Sequence, residues 1–93
     1  MALHRQGAIA EAVKLYQDIL LSAPRHVESL HLLGVAALQT GQPQRGVDLI
    51  SRALALKPDH AEALSNLGNG LRSLGRLEEA LVRYDAALAL YKS

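Results

Sequence analysis

The chain has 93 residues and a formal net charge of +1, with basic and acidic side chains interspersed along it. Such a weak, mixed charge gives no field that would draw nucleic acid or an anionic membrane. Hydrophobic residues make up 49% of the chain and cysteine is absent, which excludes disulfides and thiolate metal sites. No stretch reaches the roughly 20 apolar residues of a membrane span, and the start does not resemble a signal peptide. We therefore expect a soluble, cytoplasmic protein.

The predicted elements recur at a fixed interval along the chain. Gly7, Gly41 and Gly75 are evenly spaced, and the same interval separates Pro24 from Pro58. A fixed period of about 34 residues is typical of stacked supersecondary units, each of which buries its apolar face against its neighbours. Counting in steps of this period divides the chain into a partial unit and two full ones: 1–26, 27–60 and 61–93.

The first unit is predicted to lack most of its first helix. Only a helix tail over about 1–6 precedes Gly7, and a second helix follows. Without its hairpin partner, this second helix is expected to leave apolar area in water, at a cost of about 25 cal/mol per Å². The side chains concerned are Ile9, Val13, Tyr16 and Leu20.

The second unit is predicted to be a helix hairpin, with helices over about 27–40 and 43–56 joined at Gly41. Glycine adopts the left-handed conformation that commonly ends a helix, and Pro43 is favoured in a first helical turn. Pro58 closes the unit because the residue before proline disfavours the helical conformation.

The third unit is the clearest copy of the pattern. Its first helix places apolar residues at three- and four-residue steps on one face: Leu64, Leu67, Gly68, Leu71 and Leu74. Asp59 and Glu62 resemble a capping box at its start, and Gly75 is expected to end it. The second helix is expected to bury one apolar side, made of Leu77, Ala80, Leu81, Tyr84, Ala87, Leu88 and Tyr91.

Small residues recur where the helices of a pair should cross closely. Gly34 and Gly68 on the first helices are predicted to face small residues on the second helices, namely Ala12, Gly46 and Ala80. Interiors are close-packed, so a larger side chain at these crossings would push the helices apart. A structural role for these glycines is therefore expected.

This pattern resembles the tetratricopeptide repeat (TPR). The residues that carry the resemblance are Leu33-Gly34, Leu67-Gly68, Gly41, Gly75, Ala80, Tyr84, Ala87 and Pro58. The resemblance covers essentially the whole chain and implies an all-α fold, a right-handed superhelical solenoid of antiparallel helix pairs with about two and a half repeats. The phrase Leu64-Ser65-Asn66-Leu67-Gly68-Asn69 also resembles repeats of bacterial O-GlcNAc-transferase-like arrays.

The resemblance implies that the first helices line a concave groove for a peptide or a partner helix. The groove residues expected in the second unit are Glu28, His31, Leu32, Val35, Leu38 and Gln39. Those expected in the third unit are Glu62, Ser65, Asn66, Asn69, Arg72 and Ser73. Asparagine amides both donate and accept, so Asn66 and Asn69 are expected to clamp a peptide backbone. The apolar part of the second unit's set is expected to receive an apolar side chain or a helix.

Two TPR ligand sites can be compared with these residues. The carboxylate clamp of chaperone-binding TPR proteins uses lysines, an arginine and asparagines, whereas His31 and Val35 precede Asn66 here. A chaperone C-terminal tail is therefore not expected as the ligand. O-GlcNAc-transferase-type arrays hold a peptide main chain with asparagines at the Asn66 position of successive repeats, and Leu32 interrupts that series.

No group of residues indicates an enzyme, a metal or a cofactor. His31 lies near Glu28 but lacks the nucleophile and the orienting group of a triad. His26 and His60 recur at the same turn of successive units and are expected at the surface, far apart, so the four histidines are a weak zinc signal. The arginines are scattered rather than gathered in one groove, which argues against RNA.

The sequence thus predicts a protein–protein interaction module with a concave groove for a peptide or partner helix. Two alternatives stay open: a self-assembling structural module that pairs through its uncapped ends, and the substrate-recruiting arm of a larger, bacterial, glycosyltransferase-like protein. A homo-oligomer is expected, because exposed apolar patches usually find a partner. Its expected contact residues are Ile9, Val13, Tyr16, Leu20, Tyr84, Leu88 and Tyr91.

Overall fold

The computed structural model describes residues 2–92, with the side chains of residues 7–92. Five helices follow one another along the chain: α1 (Ala2–Ser22), α2 (Val27–Gln39), α3 (Pro43–Leu56), α4 (Ala61–Ser73) and α5 (Leu77–Lys92). The described residues contain no β-strand, and none of their helices is long and apolar enough to cross a membrane. Hairpins α2–α3 and α4–α5 stack through α3 and α4, and α1 packs on α2. The predicted all-α solenoid of antiparallel helix pairs is confirmed.

Both hairpins turn at a glycine in the left-handed region. Gly41 has a φ of 75° and Gly75 a φ of 77°, as the sequence predicts. At each turn the next backbone N–H reaches back to a carbonyl five residues earlier: Gln42 donates to Ala37 at 2.8 Å and Arg76 donates to Leu71 at 2.9 Å. This is the hydrogen bond of a Schellman motif, which satisfies a carbonyl at the end of the preceding helix.

The predicted break at Gly7 is wrong. Helix α1 runs without interruption over Ala2–Ser22, and Gly7 is not among the residues with positive φ. Residues 2–6 make fewer than two helical turns, and so short a segment does not form an independent helix that could pack back on α1. It extends α1 instead. The division of the chain into units at 26 and 60 stays a prediction.

Among the side chains that the structure describes, most of the buried apolar residues form two clusters. The larger cluster lies among α3, α4 and α5 and is formed by Val47, Ile50, Leu54, Ala63, Leu64, Leu67, Leu71, Ala80 and Ala87. The smaller cluster joins α2 to α3 and is formed by Leu30, Leu33, Leu49 and Ala53. The predicted buried face of α4 is confirmed: Leu64, Leu67, Gly68 and Leu71 are buried and Leu74 is half-buried.

The predicted buried side of α5 is wrong in four places. Ala80 and Ala87 are buried and Tyr84 is half-buried, but four larger apolar side chains are exposed: Leu77 by 58%, Leu81 by 61%, Leu88 by 50% and Tyr91 by 65%. Among the described elements α5 packs against α4 alone. A helix with one neighbour buries only the narrow stripe that faces it, so the rest of the apolar side stays in water.

The apolar residues of α1 are less exposed than expected. Val13, Tyr16 and Leu20 pack against the smaller core cluster, and Ile9 is also half-buried. The exposed leucines of this helix are Leu15, at 56%, and Leu21, at 83%. Helix α2 therefore covers much of the surface that the sequence leaves without a partner.

The close crossing of α2 and α3 is confirmed. A Cβ atom on Gly34 would lie 2.6 Å from Ile50 Cγ1 and 3.1 Å from the carbonyl oxygen of Gly46. A Cβ atom on Gly46 would lie 2.9 Å from the carbonyl oxygen of Gly34. Gly68 differs from the prediction, because its nearest neighbours belong to the Tyr84 ring, at 2.6 Å, rather than to Ala80.

Candidate functional site

A histidine caps the start of each first helix. His26 Nδ1 accepts the backbone N–H of Ser29 at 3.1 Å, and His60 Nδ1 accepts the backbone N–H of Ala63 at 3.1 Å. The predicted capping box of Asp59 is therefore wrong, because α4 begins one residue later than the box requires and His60 is its N-cap. The recurrence of histidine at equivalent positions of the two units reflects this capping role.

Three polar side chains, with a buried histidine in the middle, connect α2 to α4. His31 is 0% exposed, and its Nδ1 lies 3.0 Å from Glu28 Oε1. Its Nε2 lies 2.9 Å from Nδ2 of Asn66. We call Glu28, His31 and Asn66 the polar chain. The sequence predicts that His31 contacts a groove ligand, but the completely buried side chain contacts Glu28 and Asn66 instead.

His60 also contacts this chain. Its ring meets the His31 ring edge to face, with 4.7 Å between the ring centroids, and its Nε2 lies 3.6 Å from Glu28 Oε1. The side chain of His60 is 13% exposed, so the prediction of a surface residue is wrong. The sequence signal for this contact is weak, since it depends on how closely the start of α4 approaches the first turn of α2.

Glu28 is negatively charged at neutral pH in this environment. The hydrogen bond from His31 lowers the pKa of Glu28 below its ordinary value of 4.5, and partial burial opposes this with a smaller rise. The neighbouring His31 and His60 lower the pKa further through charge and hydrogen bonding. The carboxylate thus keeps an acceptor in front of His31 Nδ1.

Three side chains place potential metal-ligand atoms within 4.8 Å of one another: Glu28, His31 and His60. The hydrogen bonds argue against an ion here. His60 Nδ1 accepts the Ala63 N–H, so in neutral His60 the proton is on Nε2 and no lone pair remains there for a metal. The absence of a metal site stays a prediction.

The two asparagines of the predicted groove are each held at one end. Asn66 Nδ2 binds His31, and Asn69 Oδ1 accepts a hydrogen bond from the Tyr84 hydroxyl at 2.6 Å. None of the buried side-chain nitrogens and oxygens described lacks a partner, so Asn66 Oδ1, which has none, is not fully buried. Asn69 is exposed, and its amide nitrogen takes no part in the hydrogen bond with Tyr84.

The other predicted groove residues differ in accessibility. The exposed residues are Glu28, Gln39, Glu62, Arg72 and Ser73. The half-buried residues are Leu32, Val35, Leu38 and Ser65, which are in the same class as Asn66. Val35 and Leu38 pack against the larger core cluster, and a Cβ atom on Gly46 or Gly70 would lie 2.5 Å or 3.0 Å, respectively, from Leu38 Cδ2. An apolar docking site at Leu32, Val35 and Leu38 is therefore smaller than expected.

Comparisons with known proteins give the same fold and family. A tetratricopeptide repeat family model matches residues 27–93. Cellulose synthase 2 operon protein C of Komagataeibacter xylinus is 37% identical over 60 residues, which are 64% of this chain and 5% of that protein. In four of the curated relatives that it matches, the chain spans only 5% to 18% of their length.

Two solved structures illustrate the likeness. A mutant O-GlcNAc transferase of Thermobaculum terrenum superposes with a TM-score of 0.88 at 33% identity, over 94% of this chain and 17% of that chain. The first TPR domain of Spaghetti (RPAP3), solved with an HSP90 peptide, superposes with a TM-score of 0.86 at 24% identity, over 94% of this chain and 69% of that chain. The resemblance seen in the sequence is confirmed: the chain belongs to the tetratricopeptide repeat family.

Proposed function

We propose that this chain is a protein–protein interaction module that holds an extended peptide along the face shared by α2 and α4. The observation that carries the proposal is the pair of half-engaged asparagines. Asn66 offers a free carbonyl oxygen because His31 holds its nitrogen. Asn69 offers a free amide nitrogen because Tyr84 holds its oxygen. One acceptor and one donor are what a peptide main chain requires.

The spacing of the two amides fits an extended peptide. Residues three apart on a helix lie on the same face and rise by about 4.5 Å along its axis. An extended chain advances by about 3.3–3.6 Å per residue, so Asn66 and Asn69 are placed to reach one peptide unit or two adjacent ones. Contacts of this kind bind main-chain groups and tolerate many side chains.

The comparisons support a peptide as the kind of ligand. The TPR domain of Spaghetti (RPAP3) was solved with a bound HSP90 peptide. The same ligand is not proposed here, because His31 is buried and Val35 packs against the core where a carboxylate clamp would need exposed cations and amides. Arg72, which is exposed one turn beyond Asn69, favours a peptide with an acidic residue on that side.

A peptide array followed by solution binding tests the proposal. Fluorescence anisotropy would then measure the affinity of the strongest array binder for the wild type, for Asn69→Ala and for Gln44→Ala. Gln44 is an exposed amide on α3, so it controls for loss of an amide elsewhere. One lost hydrogen bond of about 1 kcal/mol weakens binding about fivefold. We expect this loss of affinity for Asn69→Ala and not for Gln44→Ala. Equal affinities of the two variants for the peptide, or an array without any binding peptide, would contradict the proposal.

Self-association is a second proposal, supported by the exposed apolar side of α5. Leu81 and Leu88 occupy the positions in the third unit that Val47 and Leu54 occupy in the second. The earlier pair is buried in the cluster that α4 shares, whereas the later pair is exposed by 61% and 50%. We propose that a second copy of the chain covers this side of α5 with its own α5, because an apolar stripe of this kind is self-complementary about a two-fold axis.

Location, origin and catalytic activity are not addressed by the fold. The cytoplasmic location, the bacterial origin and the lack of catalytic activity stay predictions, and so does any role as the arm of a larger glycosyltransferase-like protein.

A further inference from the structure

The hydrogen bonds of His31 determine where its proton lies. A carboxylate only accepts, so His31 Nδ1, 3.0 Å from Glu28 Oε1, must carry a hydrogen. The amide nitrogen of Asn66 only donates, so His31 Nε2, 2.9 Å away, must carry a lone pair. His31 is therefore neutral in this arrangement, and Asn66 turns its carbonyl oxygen outward.

A second arrangement becomes favourable when His31 gains a proton. Nε2 then carries a hydrogen and points it at the Asn66 amide. The amide nitrogen can no longer donate there, because two donors would face each other. Rotation of the amide by half a turn restores the hydrogen bond through Oδ1 and turns the NH₂ group outward.

We infer that His31 is a positioning residue whose proton decides which end of the Asn66 amide faces the groove. With neutral His31 the outward oxygen accepts from a peptide N–H. With protonated His31 the outward NH₂ donates to a peptide carbonyl or a carboxylate. The inference rests on the proposed peptide groove for its meaning, but the coupling between His31 and Asn66 is a property of the free protein.

The charged and titratable groups that touch His31 are few. On α2 itself the Glu28 carboxylate faces Nδ1. From the start of α4, His60 meets the His31 ring, with 4.7 Å between the ring centroids. Among the side chains described, from residue 7 to residue 92, no charged group of α1 or α3 forms a hydrogen bond or an ion pair with His31.

Nitrogen NMR of the free protein tests the coupling without any ligand. The chain has only two asparagines, Asn66 and Asn69, so their side-chain NH₂ signals are readily assigned. At neutral pH we expect the His31 tautomer with hydrogen on Nδ1, together with slowed solvent exchange of one Asn66 amide hydrogen. As the pH is lowered, the signals of Asn66 and His31 should change together in one step.

Three variants separate positioning from a merely structural role. His31→Phe removes the acceptor and should release the Asn66 NH₂ group to fast exchange while Asn69 is unchanged. Tyr84→Phe should release Asn69 while Asn66 is unchanged, which makes it the matched control. His31→Gln can place a carbonyl acceptor toward Asn66, so it should restore slow exchange and abolish the pH dependence.

The result expected is a shared titration step for His31 and Asn66 that is absent in His31→Gln. A His31 tautomer with hydrogen on Nε2 at neutral pH would overturn the inference, as would Asn66 signals that ignore His31 protonation. Unfolding before His31 is protonated would overturn the switch as well. None of these results depends on peptide binding, so a groove that binds no peptide would leave them intact and would contradict only the proposed function.

Discussion

Histidine shows best what single residues do in this chain. The recurrence of His26 and His60 can be seen in the sequence, but their role cannot. Each side chain accepts a backbone N–H at the start of a helix, α2 for His26 and α4 for His60. The sequence also misses the burial of His31, because its partner Asn66 is 35 residues away and becomes its neighbour only when α2 and α4 stack. Asn66 and Asn69 are predicted as groove residues from their helix face, whereas the ends held by His31 and Tyr84 depend on packing between helices.

The lowered pKa of Glu28 predicts a specific acid dependence of stability. Because its pKa in the folded protein lies below the ordinary value of 4.5, its stabilising contribution is complete above that ordinary value. It is lost as the pH falls through the lower folded value. The unfolding free energy of the wild type should therefore fall more steeply than that of Glu28→Gln below about pH 4.5, the ordinary carboxyl range.

Urea unfolding followed by circular dichroism at a series of pH values would measure this difference. Glu62→Gln, the equivalent first-turn residue of α4, controls for the removal of one negative charge. Parallel pH profiles for the wild type and Glu28→Gln would show that the contact with His31 does not stabilise the folded state.

At the scale of the helices, local signals explain which predictions succeed. Gly41, Pro43 and Gly75 end or begin helices through their own backbone preferences, so they can be read without knowing the fold. Gly7 is also a glycine at the repeat spacing, yet it lies inside α1. A glycine permits a turn but does not impose one, and a turn forms only where a second helix packs back.

The same substitution at two glycines should have opposite effects. In Gly46→Ala the new methyl group would lie 2.5 Å from Leu38 Cδ2 and 2.9 Å from the Gly34 carbonyl oxygen. Overpacking of this kind costs about 1–3 kcal/mol, against a gain of up to about 1 kcal/mol in helix propensity. Gly7→Ala is the control, since it meets nothing within 4 Å and should gain about 0.5–1 kcal/mol.

Chemical unfolding of the two variants beside the wild type measures both effects. We expect a lower midpoint for Gly46→Ala and a higher one for Gly7→Ala. A stabilised Gly46→Ala protein would mean that α2 and α3 are not in the close contact described.

At the scale of the whole molecule, the fold follows from the repeat but the burial of its last helix does not. An apolar helix face reads the same in the sequence whether or not a neighbour covers it. Ala80 and Ala87 meet α4, while Leu81 and Leu88 on the same helix stay exposed. Prediction of these positions requires knowledge of what packs beside α5, and that information is not local to the helix.

Self-association through α5 predicts a mass that depends on concentration. Light scattering behind size exclusion should show the wild type rising from 10.0 kDa toward twice that mass, with Leu81→Lys remaining a monomer. Leu21→Lys, at a leucine of α1 that is 83% exposed, should behave as the wild type. A wild type that stays monomeric at high concentration would exclude the α5 pairing and leave the groove on α2 and α4 unaffected.

The central claim is that the face of α2 and α4 binds a peptide through Asn66 and Asn69, and an NMR titration tests it most directly. With the array-selected peptide, we predict that the two asparagine NH₂ signals and the backbone amides of α2 and α4 shift together, while the Gln44 side chain on α3 does not. Shifts confined to α5, around the exposed Leu81 and Leu88, would contradict the claim and would place the binding surface on the apolar side of the last helix.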